Sequence, residues 1–292
     1  MGGKHLSWVE KILTVHSQLE YDFSPGKLST SEILELKKLA REKRATIGTA
    51  PIGRRVFSYV REIESNIYYE KKDFNSNVDA MIYLPNKEDN IVFIIINSSK
   101  PLFNQIFACA HEYYHFLKDI SDGSRVCNLN DLKNIKSEYL ASRFAAEFLL
   151  PDEALRAEVE RFKLFFKIKK FTFEHIILLC YNLLVKYELP PKAILYRLIE
   201  EGYINDILRK ENLYEILKYI CEEITNREGQ KAKDLFESNN NNIEEVMHEL
   251  VTAVYDKGLV TYDELFEDLN ELSLNCEQMK ITSPWDISNE EE

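Results

Sequence analysis

The sequence predicts an α+β fold that is mostly helical, with one small β-sheet near its start and a helical bundle at its C-terminal end. Three observations lead there. Nine Gly and eight Pro punctuate 292 residues, which favours long helices and short loops. Runs of β-branched and aromatic residues fall in a single window, between residues 67 and 97. The charge also breaks along the chain. Residues 201–292 carry 23 acidic and 8 basic side chains, a net −15, whereas residues 1–200 carry 26 and 29, a net +3. A break of this size marks units with different surfaces. The expected division is 1–29 as a helical extension, 30–204 as the main domain and 205–292 as an acidic helical domain.

The elements follow in order. Leu6–Leu19 and Ser29–Lys43 read as helices; in the second, Ser29 or Thr30 caps, and Ile33, Leu34, Leu36 and Leu39 supply the apolar positions. Ala50-Pro51-Ile52-Gly53 breaks the pattern before a short helix, Arg55–Ser65. Ile67–Tyr69, Ala80–Leu84 and Ile91–Asn97 read as strands, the last two joined by a polar hairpin loop. Pro101 opens a helix that runs through His115 to about Asp119. Asp131–Leu150 is a second strong helix, which Pro151 stops. Phe173–Lys186 and Pro191–Glu201 pair around the Pro190-Pro191 turn. Further on, Ile243, Val246, Met247, Leu250, Val251 and Val254 share one helix face behind a four-Asn linker, and Ser288–Glu292 reads as a frayed tail.

Composition excludes several classes. A net charge of −12 argues against a general DNA-coating protein, which needs a basic surplus. The longest apolar runs, Ile91–Ile96 and Ile176–Tyr181, fall far short of the roughly 18 residues of a membrane span. The first residues hold no signal-peptide core, and Leu6 stands where myristoylation wants Ser or Thr. Five cysteines stand far apart with no CxxC, which reads as free thiols in a reducing compartment. The expectation is a cytoplasmic protein with no membrane partner.

One constellation carries chemistry. His111-Glu112-Tyr113-Tyr114-His115 is an HExxH on a predicted helix. Four residues at about 100° each return His115 to within roughly 40° of His111. Both imidazoles thus leave one face and can share a metal, while Glu112 beside them can reach an attacking water. Zinc is the default ion, with other divalent metals open. A third ligand is needed, and the next helix offers Glu138 and Glu147. They are nine residues apart and point to opposite sides, so one alone can face the histidines, and spacing does not choose between them.

The segments ACAHEYYHFL (108–117) and SEYLASRFAAEFLLP (137–151) resemble the ImmA/IrrE metallopeptidase family, which pairs an AHExxH helix with a following ExxANxFAAE-type helix. The strand Ile91–Asn97, the polar run into Phe103-Asn104-Gln105, and YELPPKAILYRLIEEGYI (187–204) extend the similarity over about residues 30–204. The resemblance implies a zincin-like metallopeptidase domain. It makes His111, His115 and Glu138 the metal ligands, Glu112 the catalytic carboxylate and Glu147 a structural residue. It further implies a zinc-dependent endopeptidase whose protein substrate is a DNA-binding repressor of the helix-turn-helix kind, cut to regulate genes. The chain departs from the family at Tyr114, where many members have Gly, and at Ser142, where Asn is common.

Other features are open. Tyr113, Tyr114, Tyr139 and His175 are candidate oxyanion donors. Lys37, Lys38, Arg41, Lys43, Arg44, Arg54 and Arg55 form a basic stretch that suits nucleic acid, an acidic protein or a solvated helix face. That stretch and the acidic C-terminal region, a possible partner-binding surface, keep a second reading in play: a non-proteolytic regulator with a structural metal site.

Overall fold

The computed structural model describes residues 28–73, 78–83, 91–118, 125–126, 135–204 and 260–271, together with Tyr219 and Tyr255. Helix α1 (Thr30–Lys43) starts at a capping box: the Glu32 amide donates to Ser29 Oγ, and the Ser29 amide donates to Glu32 Oε2 at 2.8 Å. A 3₁₀ turn (Gly53–Arg55) runs into α2 (Val56–Ile63).

A four-stranded sheet follows in the order β1-β3-β2-β4, from β1 (Ile67–Lys72), β2 (Ala80–Tyr83), β3 (Val92–Asn97) and β4 (Arg125–Val126). The expected antiparallel pairing of β2 with β3 is present, with Ala80 opposite Ile96. β1 lies parallel to β3 on the other side, Ile67 beside Val92. The sequence VFIIIN suits this central position, since a strand buried on both faces carries a nearly continuous apolar run. β4 went unread in the sequence, because two residues show no periodicity.

Asn97 ends β3 and holds the turn into the next helix. Its amide donates to Val78 O at 2.7 Å, and its Oδ1 accepts from the Ser99 amide at 3.1 Å. Gln105 ties the same turn down by donating to Ser98 O and Lys100 O. Helix α3 (Leu102–Lys118) then crosses the sheet and is buried on every side from Leu102 to His115. A helix wrapped all round in protein is the rigid place for a site. Cys109, which is fully buried, is on the side of α3 that meets Tyr69 of β1.

Helix α4 (Ile135–Leu149) packs along α3. Pro151 does stop α4, but it also caps α5 (Asp152–Phe166), which the sequence reading omitted. The missed signal is a second start: Asp152 and Glu153 stand in the first turn of α5, where acidic side chains complement the helix dipole. Helices α6 (Phe173–Tyr187) and α7 (Pro191–Glu200) form the expected pair, with Glu188 in the left-handed conformation closing α6.

In the acidic third, α8 (Tyr262–Glu271) is a capped helix, with Thr261 and Glu264 exchanging hydrogen bonds. The expected helices at 6–19 and 243–254, the Asn linker, the C-terminal tail and the bundle as a whole lie outside the described residues. Among the described residues no helix is long and apolar enough to cross a membrane.

Candidate metal centre

Helix periodicity places His111 and His115 one turn apart on α3, and α4 brings Glu138 across to meet them. The Nε2 atoms of the two histidines are 3.2 Å apart. Glu138 Oε2 lies 3.0 Å from His111 Nε2, and Glu138 Oε1 lies 3.4 Å from His115 Nε2. All three side chains are buried. The ambiguity between the two glutamates is resolved by the crossing of the helices, with Glu138 beside the histidines and Glu147 elsewhere.

These separations test whether the residues suit a metal. Donors about 2.0–2.1 Å from a tetrahedral zinc stand about 3.3 Å from one another. The two Nε2 atoms are at about that spacing, and each also has a Glu138 oxygen at about that spacing, His111 through Oε2 and His115 through Oε1. Two imidazoles and one carboxylate are also the donor types that zinc takes in sites with an open position. The set is a group that could hold a metal ion.

The electrostatics agree with a carboxylate kept ionised. Burial pushes the Glu138 carboxyl upward, but its hydrogen bonds to His111 and His115 outweigh burial and hold it well below the usual range. Ser142 lies one turn beyond Glu138, and its Oγ is 3.2 Å from His111 Nδ1. A ring held at Nδ1 presents Nε2 to the donor cluster. Glu112 is almost completely buried beside this face.

Two of the four candidate oxyanion donors have other employment. The Tyr113 hydroxyl donates to Glu64 Oε1 at 2.8 Å, and its ring packs against Phe144 and Phe148. His175 caps α6, accepting from the Thr172 amide through Nδ1. Tyr114 stays near the cluster, its ring 5.9 Å from that of His115 and 5.6 Å from Phe144. The bulk that replaces the family glycine is therefore absorbed between the two helices. Tyr139 is half-buried next to Glu138.

Glu147 is the hub of a buried charge network. Its Oε2 accepts from Arg143 Nη1 at 2.9 Å and pairs with Arg197 Nη1 at 2.7 Å. Its Oε1 accepts from the Asp152 amide at 2.8 Å, so it also caps α5. Arg143 reaches Glu200 as well, and Lys37 reaches Asp152 and Glu201. The network joins α1, α4, α5 and α7 behind the helix that supplies Glu138. Arg143 and Glu147 stand at i,i+4 spacing, a signal present in the sequence, but the Arg197 partner is 50 residues away.

The basic stretch before the sheet is mostly consumed internally. Lys37 pairs as above, Lys43 with Glu64, Arg41 with Glu153 and Arg54 with Glu188. Arg44 is buried and donates to the carbonyls of Gly48, Ala50 and Phe148. At these positions the pattern reflects pairing among the helices of the domain.

Residues 64–198 match the family model described as the IrrE N-terminal-like domain (Peptidase_M78). No curated protein matches the chain. Among solved structures, one similar chain is a Mycobacterium tuberculosis transcriptional regulator, with 14% identity and a TM-score of 0.40. The match covers 63% of this chain and 51% of that one, so it spans about half the length of the solved relative.

Proposed function

We propose, from the premise that residues 64–198 form a domain of the ImmA/IrrE family, that the chain is a zinc-dependent endopeptidase. The observation that carries this reading is the donor set, His111, His115 and Glu138, with mutual separations of 3.0–3.4 Å on two packed helices. In this reading the three side chains hold the ion in a zincin-like site, Ser142 orients His111, and residues 30–204 are the catalytic unit. Residues 1–29 are an extension of it, and 205–292 a separate acidic unit.

Bound zinc supplies Lewis-acid polarisation of the scissile carbonyl and lowers the pKa of an attacking water towards about 7. Glu112 takes the proton of that water and delivers it to the leaving amine. Its near-complete burial beside the histidine face places it for that task. By family resemblance the substrate is a helix-turn-helix repressor, whose cleavage would release transcription.

The test has two parts. Metal analysis of the purified chain is expected to find about one equivalent of zinc or another divalent ion, and His115→Ala is expected to lose it. Metal content unaffected by that substitution overturns the site. Glu112→Gln should keep the metal and bind substrate, yet abolish cleavage. Full biological activity in Glu112→Gln would instead identify a non-proteolytic regulator with a structural metal.

A further inference from the structure

The last turn of α5 carries an apolar knob that stands in water. Leu164 and Phe165 keep 77% and 78% of their surface exposed, and Phe166 keeps 38%. The knob is firmly built. Phe165 meets Phe166 edge-on at 4.9 Å, Phe166 packs on Phe162 at 4.6 Å, and Phe162 meets Phe171 and His175. Lys167 then closes the helix in the left-handed conformation (φ 53°).

Two features of the knob select its partner. The first is shape. Leu164, Phe165 and Phe166 are consecutive, so at about 100° each they sweep roughly 200° around the helix end. A flat protein face meets one side of a helix and would leave part of that arc in water. The boundary between lipid headgroups and acyl chains takes in a protruding tip from every side. The second feature is charge. From Glu160 to Glu174 the chain holds five basic and two acidic side chains, a net +3. Glu160 is matched by Lys163, Arg161 by Glu158, and Glu174 accepts from the Thr172 hydroxyl. Lys167, Lys169 and Lys170 are exposed and form no ion pair among the described residues. Three cations thus follow directly on the bare apolar side chains.

We propose that this tip docks on an anionic lipid surface. Leu164 and Phe165 enter the headgroup–acyl boundary, and Lys167, Lys169 and Lys170 meet the lipid phosphates and carboxylates. Neither part holds alone: a small apolar insertion is a marginal anchor, and three lysines without it stay at the surface. Together they supply the two signals that a stable peripheral contact needs. The contact is peripheral and requires no spanning segment. It therefore departs from the sequence expectation of no membrane partner, which rested on the shortness of the apolar runs.

Cosedimentation of the full-length chain with lipid vesicles tests this. Binding is expected to phosphatidylcholine vesicles containing about 30% phosphatidylserine, and not to phosphatidylcholine alone. It should weaken as salt rises from about 0.1 to about 0.5 M. At roughly fivefold per lysine, the triple variant Lys167→Glu, Lys169→Glu, Lys170→Glu should bind about a hundredfold more weakly or worse. Leu164→Ser with Phe165→Ser should cost about tenfold or more. Because every substituted side chain is exposed, unchanged circular dichroism is expected of both. Phe165→Trp reports insertion directly, read as the difference from the parent with its Trp8 and Trp285. Its emission should move to the blue on the anionic vesicles and be quenched by brominated acyl chains. No binding by the parent, binding indifferent to both variants, or a Phe165→Trp emission unmoved by vesicles that bind the chain overturns the proposal. So does binding to polyglutamate, lost in the same variants, by a chain that ignores the vesicles; that result would mark an acidic protein as the partner.

Discussion

Ser142 Oγ stands 3.2 Å from His111 Nδ1, on the opposite side of the ring from the Nε2 that meets Glu138. A histidine that gives Nε2 to a metal carries its proton on Nδ1, and the Ser142 hydroxyl is placed to accept that proton's hydrogen bond. Both residues are buried, so water cannot take over the role cheaply. Ser142→Ala should leave the fold intact and weaken metal binding about 10–100-fold, measured by competition with a chelator. Affinity equal to that of the parent would show that packing alone orients His111.

Glu147 is expected to matter for stability and not for chemistry. Replacing it with Ala leaves Arg197 with weaker partners in a fully buried position, strips Arg143 of one of two carboxylates and uncaps α5. The cost should be about 3–5 kcal/mol, read as a lower urea midpoint. If the midpoint barely moves, the network does not hold α4 in place.

The contrast between these two glutamates shows how far the sequence was legible. The histidine pair was readable because helix periodicity is local, and HExxH needs only one turn to converge. The choice between Glu138 and Glu147 was not readable, because both occupy polar positions on an otherwise apolar helix. Long-range partners settle it, His111 for one and Arg197 for the other. The parallel pairing of β1 with β3 was hidden for the same reason, since register between strands 25 residues apart leaves no local mark. Helix α5 was missed on different grounds. Pro151 serves as the stop of one helix and the cap of the next, and a stop signal alone does not reveal that a new helix begins at Asp152.

Asp152 gives the pH prediction. Burial raises its pKa, but the Glu153 hydrogen bond and the charge of Lys37, 3.3 Å away, lower it to about 2. The folded value lies below the ordinary 3.8, so the unfolded chain takes up protons first as pH falls. The stabilisation is therefore full above about pH 4 and is lost as pH drops towards about 2. Asp152→Asn should be less stable than the parent by up to about 1 kcal/mol at neutral pH, with the gap closing across that window. Urea midpoints compared at pH 7, 4 and 3 measure it. A gap constant with pH would place the effect in helix capping and not in the charge.

Among the described glycines, buried Gly53 is the one where both the backbone conformation and the surrounding space are demanding. Its φ is +52°, and a Cβ there would lie 2.5 Å from Glu188 Oε2. That oxygen is not idle, for it accepts the Arg54 amide at 2.6 Å, while Glu188 Oε1 takes the Arg54 guanidinium. Glu188 is itself in the left-handed conformation that closes α6, so its backbone has little freedom to retreat. Gly53→Ala must therefore strain its own backbone and displace the carboxylate, costing about 1–3 kcal/mol. A double-mutant cycle with Glu188→Ala separates the two costs. If the clash dominates, Gly53→Ala becomes markedly cheaper once Glu188 is shortened. If the penalty is the same in both backgrounds, the cost is backbone strain alone and the Glu188 contact has room to adjust.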